Sequence, residues 1–329
     1  MKCLVLGGAG YIGSHTVKEL VDRGHDPIVV DNLVTGHRAA VDETVPFHLG
    51  DIGDRAFIDR VFVLEKPDAV VHFASFSQVG ESTKDPMKYY RNNLCGTEVL
   101  LESMVKHGVK NIVFSSTAAT YGEPEKIPIE EADKTHPTNP YGETKLAMEK
   151  MIDWCAKAHG IRYVALRYFN ACGADKDGKI GEAHSPESHL IPLVLQAARG
   201  TRESISVFGS DYDTHDGTCI RDYVHVSDLA TAHILALEYL QNGGHSNVFN
   251  LGSECGFSVL EIIEAARRIT RREIKVDFAP RRDGDPARLL ASCEKAKKVL
   301  NFSPSHSSLD EIISSAWHFL QTHPNGYEE

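Results

Sequence analysis

The sequence predicts an α/β fold: a doubly wound parallel sheet in the first half, followed by a smaller C-terminal α/β domain. Three observations point there. The chain opens with the mostly apolar run Lys2-Cys3-Leu4-Val5-Leu6, which leads into Gly7-Gly8-Ala9-Gly10-Tyr11-Ile12-Gly13 and then an amphipathic stretch closed by Gly24. Further short apolar runs alternate with helical stretches and end in small or polar residues, as strands of a parallel sheet do when their carboxyl ends line a crevice. That alternation fades after the apolar run at 162–167.

A strand, a glycine turn and a helix, in that order, present backbone N–H groups and a helix N-terminus to a pyrophosphate. This is the nucleotide-binding start of a Rossmann sheet. Gly7 permits the tight turn, Gly10 the approach of phosphates, and Gly13 the close packing of helix on strand. Pro27-Ile28-Val29-Val30 reads as the second strand and ends at Asp31, roughly twenty residues past the last glycine, where a carboxylate accepts hydrogen bonds from an adenosine ribose and repels a 2′-phosphate. The expected cofactor is therefore NAD rather than NADP.

Three more strands follow. The run at 45–49 leads to Gly50-Asp51-Ile52, the run at 69–73 to Ala74-Ser75, and the run at 111–114 to Ser115-Ser116-Thr117. Two long helices are expected, over about 86–107 with Gly108 as stop and about 141–159 with Gly160 as stop. The polar, glycine-bearing stretch 175–188 reads as a junction or mobile loop. Beyond it, helices are expected near 189–199, 227–241, 258–270 and 308–322, and strands near 205–208, 248–251 and 275–278. The boundary is placed at 170: residues 1–170 form the NAD-binding domain and 171–329 the substrate-binding one, with some strands and helices of the second free to return to the first. The segment 325–329 is expected to be loosely held.

With 329 residues, 42% hydrophobic and 25% charged, the composition is that of a globular chain of two modest domains. No apolar run approaches the roughly 20 residues that span a bilayer, and the first residues pass directly into a core strand, so no membrane or targeting segment is expected. A net charge of −11 argues against nucleic acid or an anionic membrane as partner. The seven cysteines are scattered and odd in number, which reads as reduced thiols in a cytoplasmic protein. No metal site is expected, because the seventeen histidines show no H-x-x-x-H or comparable cluster.

The chemistry centres on Tyr141-Gly142-Glu143-Thr144-Lys145, which sets a tyrosine and a lysine one helical turn apart on one face. An ammonium there, with a helix N-terminus, favours tyrosinate and turns the phenol into a base nearer neutral pH. Pro140 suits the first turn of that helix. Thr117, at the end of the preceding strand, offers a hydroxyl to share a proton with Tyr141.

The glycine turn, Asp31-Asn32, Asp51-Ile52, His72-Phe73-Ala74, the Tyr141/Lys145 pair and Arg167-Tyr168-Phe169-Asn170 together resemble the extended short-chain dehydrogenase/reductase family. Within it the chain is most similar to the UDP-hexose 4-epimerases over essentially its whole length. The most specific segments are Gly217-Thr218-Cys219-Ile220-Arg221-Asp222-Tyr223-Val224-His225-Val226 and Ala279-Pro280-Arg281-Arg282-Asp283-Gly284-Asp285. The resemblance implies a homodimeric enzyme that interconverts UDP-glucose and UDP-galactose through hydride transfer to tightly held NAD and a 4-keto sugar. In it Tyr141 is the base, Thr117 shuttles the proton, and Lys145 bonds the nicotinamide ribose.

It also implies that Tyr11, Ile12, Asn32, Asp51, Ile52, Phe73, Ala74, Asn92 and Phe169 contact the cofactor. On the substrate side, Arg221 and Arg282 grip the diphosphate, Asp285 lies near the uridine ribose and Phe208 by the uracil. Asn170, His189 and Leu190 contact the substrate as well, and Leu289 faces the hexose. Guanidinium forks suit phosphate oxygens on physical grounds too, with an internal ion pair to Asp222 or Asp283 as the plain alternative. Three positions depart from the common pattern: Thr117 replaces a serine, Ser77 a lysine near the cofactor, and His189 an asparagine. Nucleotide-sugar dehydratases carry Asp-Glu after the threonine, whereas Ala118-Ala119 follows Thr117 here, which ranks elimination below epimerisation. UDP-N-acetylhexosamine or UDP-uronate epimerases, nucleotide-sugar decarboxylases and a non-catalytic NAD-dependent sensor remain as alternatives. The helical apolar residues Leu94, Leu100, Leu101, Leu146, Met148 and Met151 are the expected dimer face.

Overall fold

The computed structural model describes residues 1–253, 255–282 and 284–327. Strand β1 (Lys2–Leu6) runs into helix α1 (Tyr11–Asp22), followed by β2 (Asp26–Asp31), β3 (Phe47–Leu49), α2 (Arg55–Glu65) and β4 (Ala69–His72). Short helices α3 (Val79–Ser82) and α4 (Pro86–Tyr89) precede α5 (Gly96–His107), β5 (Asn111–Ser115), α6 (Pro140–His159) and β6 (Arg162–Tyr168). The second half holds β7 (Asn170–Cys172), α7 (Leu190–Arg199), β8 (Ile205–Phe208), β9 (Ile220–His225), α8 (Val226–Gln241) and β10 (Asn247–Leu251). It ends with β11 (Gly256–Ser258), α9 (Val259–Thr270), β12 (Val276–Ala279), β13 (Arg288–Leu289), α10 (Glu294–Leu300) and α11 (Leu309–Thr322).

Seven strands form one parallel sheet in the order β10-β6-β5-β4-β1-β2-β3. The sequence order reverses between β1 and β4, and there a doubly wound sheet opens its ligand crevice. Strand alternation feeds both faces: Cys3 and Val5 enter one core cluster, Leu4 and Leu6 the other. The same division separates Val29 from Ile28 and Val30, and Val113 from Ile112 and Phe114. With helices on both faces these strands are apolar throughout. Fully burying a leucine such as Leu4 stabilises by about 1.5–3 kcal/mol.

The second half does not stay apart. α8 supplies Leu229, Leu237 and Leu240 to the first of these clusters, and β10 extends the large sheet beside β6. The remainder packs around a third cluster drawn from α7, α9 and α11. Two small sheets hang on it, one of β11-β9-β13 with β7 also on β9, the other of β8 and β12.

The helix expected over 86–107 is interrupted. Tyr90–Cys95 is a π-helical segment between α4 and α5, a widening that occurs mainly at functional sites. Inside it Asn93 is fully buried and clamps neighbouring chain, accepting from Phe76 N at 2.9 Å and donating to Thr144 Oγ1 at 3.1 Å. The other long helix matches expectation. Asn139 caps α6 by accepting from Gly142 N at 2.9 Å, Pro140 opens its first turn, and Gly160 ends it at φ +68°.

Two further expectations are corrected. Leu100, Leu101, Leu146 and Met148 are buried within their own chain, because α5 and α6 turn these faces onto the sheet. The chain end is tied down as far as Tyr327, whose hydroxyl accepts from Gly181 N at 2.9 Å; 328–329 lie outside the described residues.

Candidate active site

A cleft of about 870 Å³ crosses the carboxyl ends of the large sheet, the size range of a small-molecule site. At one end lies the glycine turn. Gly7 has φ +76°, and a Cβ on Gly13 would sit 2.1 Å from the Gly7 carbonyl oxygen, so both positions require glycine if strand and helix are to meet this closely. No side chain caps the N-terminus of α1, which leaves its positive end facing the cleft. Asp31 is buried beside it, accepting from Ala9 N at 2.9 Å and Leu33 N at 2.8 Å. Burial pushes its pKa up, against the pull of these backbone donors.

Tyr141, Lys145 and Thr117 all line this cleft. The strand β5 delivers Thr117, and the capped N-terminus of α6 delivers Tyr141. Tyr141 is half-buried; desolvation raises the pKa of its phenol, while the Thr117 hydroxyl pulls the other way. Burial dominates the direction of that shift. Lys145 is itself buried and donates to the Ser115 carbonyl at 2.8 Å, with its Nζ 5.0 Å from the Phe114 ring centre. Burial lowers its pKa from 10.5 to about 7, against the attraction of Glu149. In the protein alone, desolvation therefore outweighs the lysine–tyrosine interaction that the i, i+4 spacing predicts.

At the far end β9 and β13 set Arg221 and Leu289 side by side in parallel register. Arg221 donates to the Ile220 and Pro286 carbonyls, each at 2.9 Å, and to Asp285 Oδ1 at 3.3 Å. Arg282 donates to the other oxygen of the same carboxylate at 2.9 Å. The ion pair expected as the plain alternative thus exists, with a different partner. Asp222 is turned away to accept from Ser253 N and Oγ at 2.7 and 2.8 Å, and Asp283 lies outside the described residues. Two guanidinium groups thus converge on one carboxylate at this end of the cleft.

Of the remaining expected residues, Gly10, Tyr11, Ile12, Asn32, Ile52, Phe73, Ala74 and Asn92 line the cleft at the nucleotide end. Phe169, Asn170 and His189 line it farther along, as does Ser77. Asp51, Leu190 and Phe208 do not reach the wall. Asp51 stands behind Asn32, accepting from its Nδ2 at 2.8 Å, and the Arg282 guanidinium lies 5.0 Å from the centre of the Phe208 ring. Leu190 begins α7 and packs on the third core cluster.

Sequence reasoning missed Gln78, Glu182 and His184 in the wall. The last two belong to a group the histidine spacing was expected to exclude: Glu182, His184, Glu187 and His189 gather their ligand atoms within 4.8 Å of one another. The signal was the run Glu182-Ala183-His184-Ser185-Pro186-Glu187-Ser188-His189, with imidazoles and carboxylates interleaved. Burial opposes charge on these histidines, yet the two carboxylates hold His184 up to about 9 and His189 up to about 10.

Residues 3–252 match the NAD dependent epimerase/dehydratase family. The chain belongs to that family. Among its relatives, the UDP-glucose 4-epimerase of Halalkalibacterium halodurans is 57% identical over 327 residues, 99% of this chain and 98% of that protein. A solved UDP-glucose 4-epimerase superposes with a TM-score of 0.99 at 54% identity, covering 100% of both chains. The enzyme from Bifidobacterium longum, solved with NAD+ and UDP, gives a TM-score of 0.94 at 39% identity, covering 99% of this chain and 100% of that one. The seven-stranded sheet and the glycine turn described above are thus those of an NAD dependent epimerase/dehydratase, and the match takes in Thr117, Tyr141 and Lys145.

Proposed function

We propose that this protein is an NAD-dependent UDP-glucose 4-epimerase, interconverting UDP-glucose and UDP-galactose through a 4-keto sugar. The observation that carries the reading is that one cleft is lined by Tyr141, Thr117 and Lys145 together with the glycine turn at an uncapped helix N-terminus and the Arg221/Arg282 pair. The relatives at 57% identity, named UDP-glucose 4-epimerases, support it.

The residues present fit NAD: the Gly7–Gly13 contact keeps the turn flat enough for phosphates, and Asp31 stands where a ribose diol would be accepted. When bound there, NAD supplies the hydride acceptor and donor at the sugar C4. Tyr141 takes the proton of the 4-hydroxyl and returns it from the same oxygen, with Thr117 relaying. Lys145, held on the Ser115 carbonyl, would bond the nicotinamide ribose. Arg221 and Arg282 would hold the diphosphate while the hexose turns, so that either face of C4 can be presented and no net oxidation results. Asp285 then exchanges part of its pairing with the arginines for the uridine ribose.

The setting follows from the same reading. Galactose metabolism is the process, and the cytoplasm is the compartment, supported by seven free thiols and by the lack, among the described residues, of any helix long and apolar enough to cross a membrane. A homodimer through α5 and α6 is proposed from the family resemblance and from Trp154, which is 68% exposed on α6; sedimentation at micromolar concentration tests it.

The decisive experiment incubates purified protein with UDP-hexoses, UDP-N-acetylhexosamines and UDP-uronates, without added NAD. Conversion of UDP-galactose to UDP-glucose, with NAD released on denaturation, is expected. A nucleotide-free protein that is fully active, or one inert toward all UDP-hexoses, overturns the reading.

A further inference from the structure

The loop between β7 and α7 carries a side-chain cluster at the edge of the cleft, of which the epimerase reading uses only His189. His189 Nδ1 lies 2.8 Å from Glu182 Oε1 and 2.9 Å from Glu187 Oε1, and His184 Nδ1 lies 3.1 Å from Glu182 Oε1 and 3.8 Å from Glu187 Oε2. One donor atom from each residue falls within 4.8 Å of the others. For metal–ligand bonds of about 2.0–2.2 Å, the edges of a tetrahedron are roughly 3.3–3.6 Å. The four donors, now joined by histidine–carboxylate hydrogen bonds, therefore lie about as close as the corners of such a site, and an ion entering between them would replace those bonds.

The loop is held on both sides. Tyr327 bonds the amide and carbonyl of Gly181, at 2.9 and 3.2 Å, and His37 Nε2 lies 2.9 Å from the Ala183 carbonyl oxygen. Glu187 accepts from the amides of Ser188 and His189 at 2.7 and 2.8 Å. The carboxylates are shielded, with side chains 8% and 7% exposed for Glu182 and Glu187. Two imidazoles and two carboxylates are a donor set suited to zinc-like cations and poorly suited to magnesium, which prefers six oxygens. Charge balances as well: two carboxylates neutralise either two histidinium protons or one divalent cation, so binding exchanges protons for metal.

We propose that Glu182, His184, Glu187 and His189 bind one divalent transition-metal cation, such as Zn2+, in a closed tetrahedral site that straps the β7–α7 loop at the wall of the cleft. All four positions are filled by protein, which makes the site structural rather than catalytic. The proposal does not depend on which sugar, or which reaction, the cleft serves.

The test uses untagged, full-length protein treated with chelator and titrated by calorimetry with Zn2+ or Mg2+. One Zn2+ per chain is expected, with Mg2+ binding about a hundredfold weaker or worse. Co2+ should give the intense visible absorption of a four-coordinate site, and Zn2+ should raise the melting temperature. Glu187→Gln and His184→Gln should each weaken Zn2+ binding about tenfold or more while keeping the circular dichroism of the parent. Cys95→Ser with Cys255→Ser, which removes the exposed thiols, should leave the affinity unchanged. The proposal is overturned if the parent takes up no Zn2+ at about 100 µM, if Co2+ gives only a weak six-coordinate spectrum, if binding survives both cluster substitutions, or if it is lost with the thiols.

Discussion

Arg167 grips Glu149 inside the protein with two parallel hydrogen bonds, Nε to Oε1 at 2.9 Å and Nη2 to Oε2 at 2.6 Å. The pair joins β6 to α6 one helical turn beyond Lys145, and Ser116 donates to the same carboxylate. A buried ion pair thus lies one turn from Lys145, whose ammonium Glu149 attracts. Removing one partner leaves the other charge buried and unpaired, which costs about 3–5 kcal/mol. Glu149→Gln should therefore lower the urea midpoint substantially, and a midpoint equal to that of the parent would show that the pair contributes nothing.

The base assignment rests on one oxygen. Tyr141→Phe keeps nearly the same volume and should lose about 10²–10⁴-fold in turnover while UDP binding persists. Thr117→Ser should be mild and Thr117→Val severe. An unimpaired Thr117→Val enzyme would remove Thr117 from the proton path.

Lys145 should leave a signature in the pH dependence of stability. Its pKa is about 7 in the folded, nucleotide-free protein against an ordinary 10.5. Below pH 7 it is protonated whether folded or unfolded, and its burial penalty is fully present. Between about 7 and 10.5 the unfolded chain binds more protons than the folded one, so stability rises with pH. The stability advantage of Lys145→Met over the nucleotide-free parent should be largest below pH 7 and shrink toward pH 10. A difference independent of pH in urea titrations would contradict this.

Leu289 sits in the cleft wall beside Arg221. Leucine lacks the reach of a phenol, so space should remain near the sugar C2 substituent, but its apolar surface offers an acetamido group no hydrogen bond. UDP-N-acetylglucosamine should be turned over detectably, though less well than UDP-glucose. Leu289→Tyr should suppress that activity selectively. Equal loss of both activities would remove this residue from control of pocket size.

What the sequence by itself determined was local. A strand, a glycine turn and a helix can be read from neighbours in the chain, because strand period, turn chemistry and helix caps act over a few residues. Hence Gly7, Gly13, Asp31, and the Pro140 start and Gly160 stop of α6 were legible, and so was the pairing of Tyr141 with Lys145 on one helical face, whereas the Asn139 cap was not read. What only tertiary structure decided was long-range. The return of β10 to the large sheet, the two-residue β13 that sets Leu289 beside Arg221, and the capture of both arginines by Asp285 arise from distant segments meeting. The protonation of Lys145 was decided there as well: spacing on the helix announces an ammonium beside a phenol, but burial sets the cost of the charge, and burial belongs to the packed molecule.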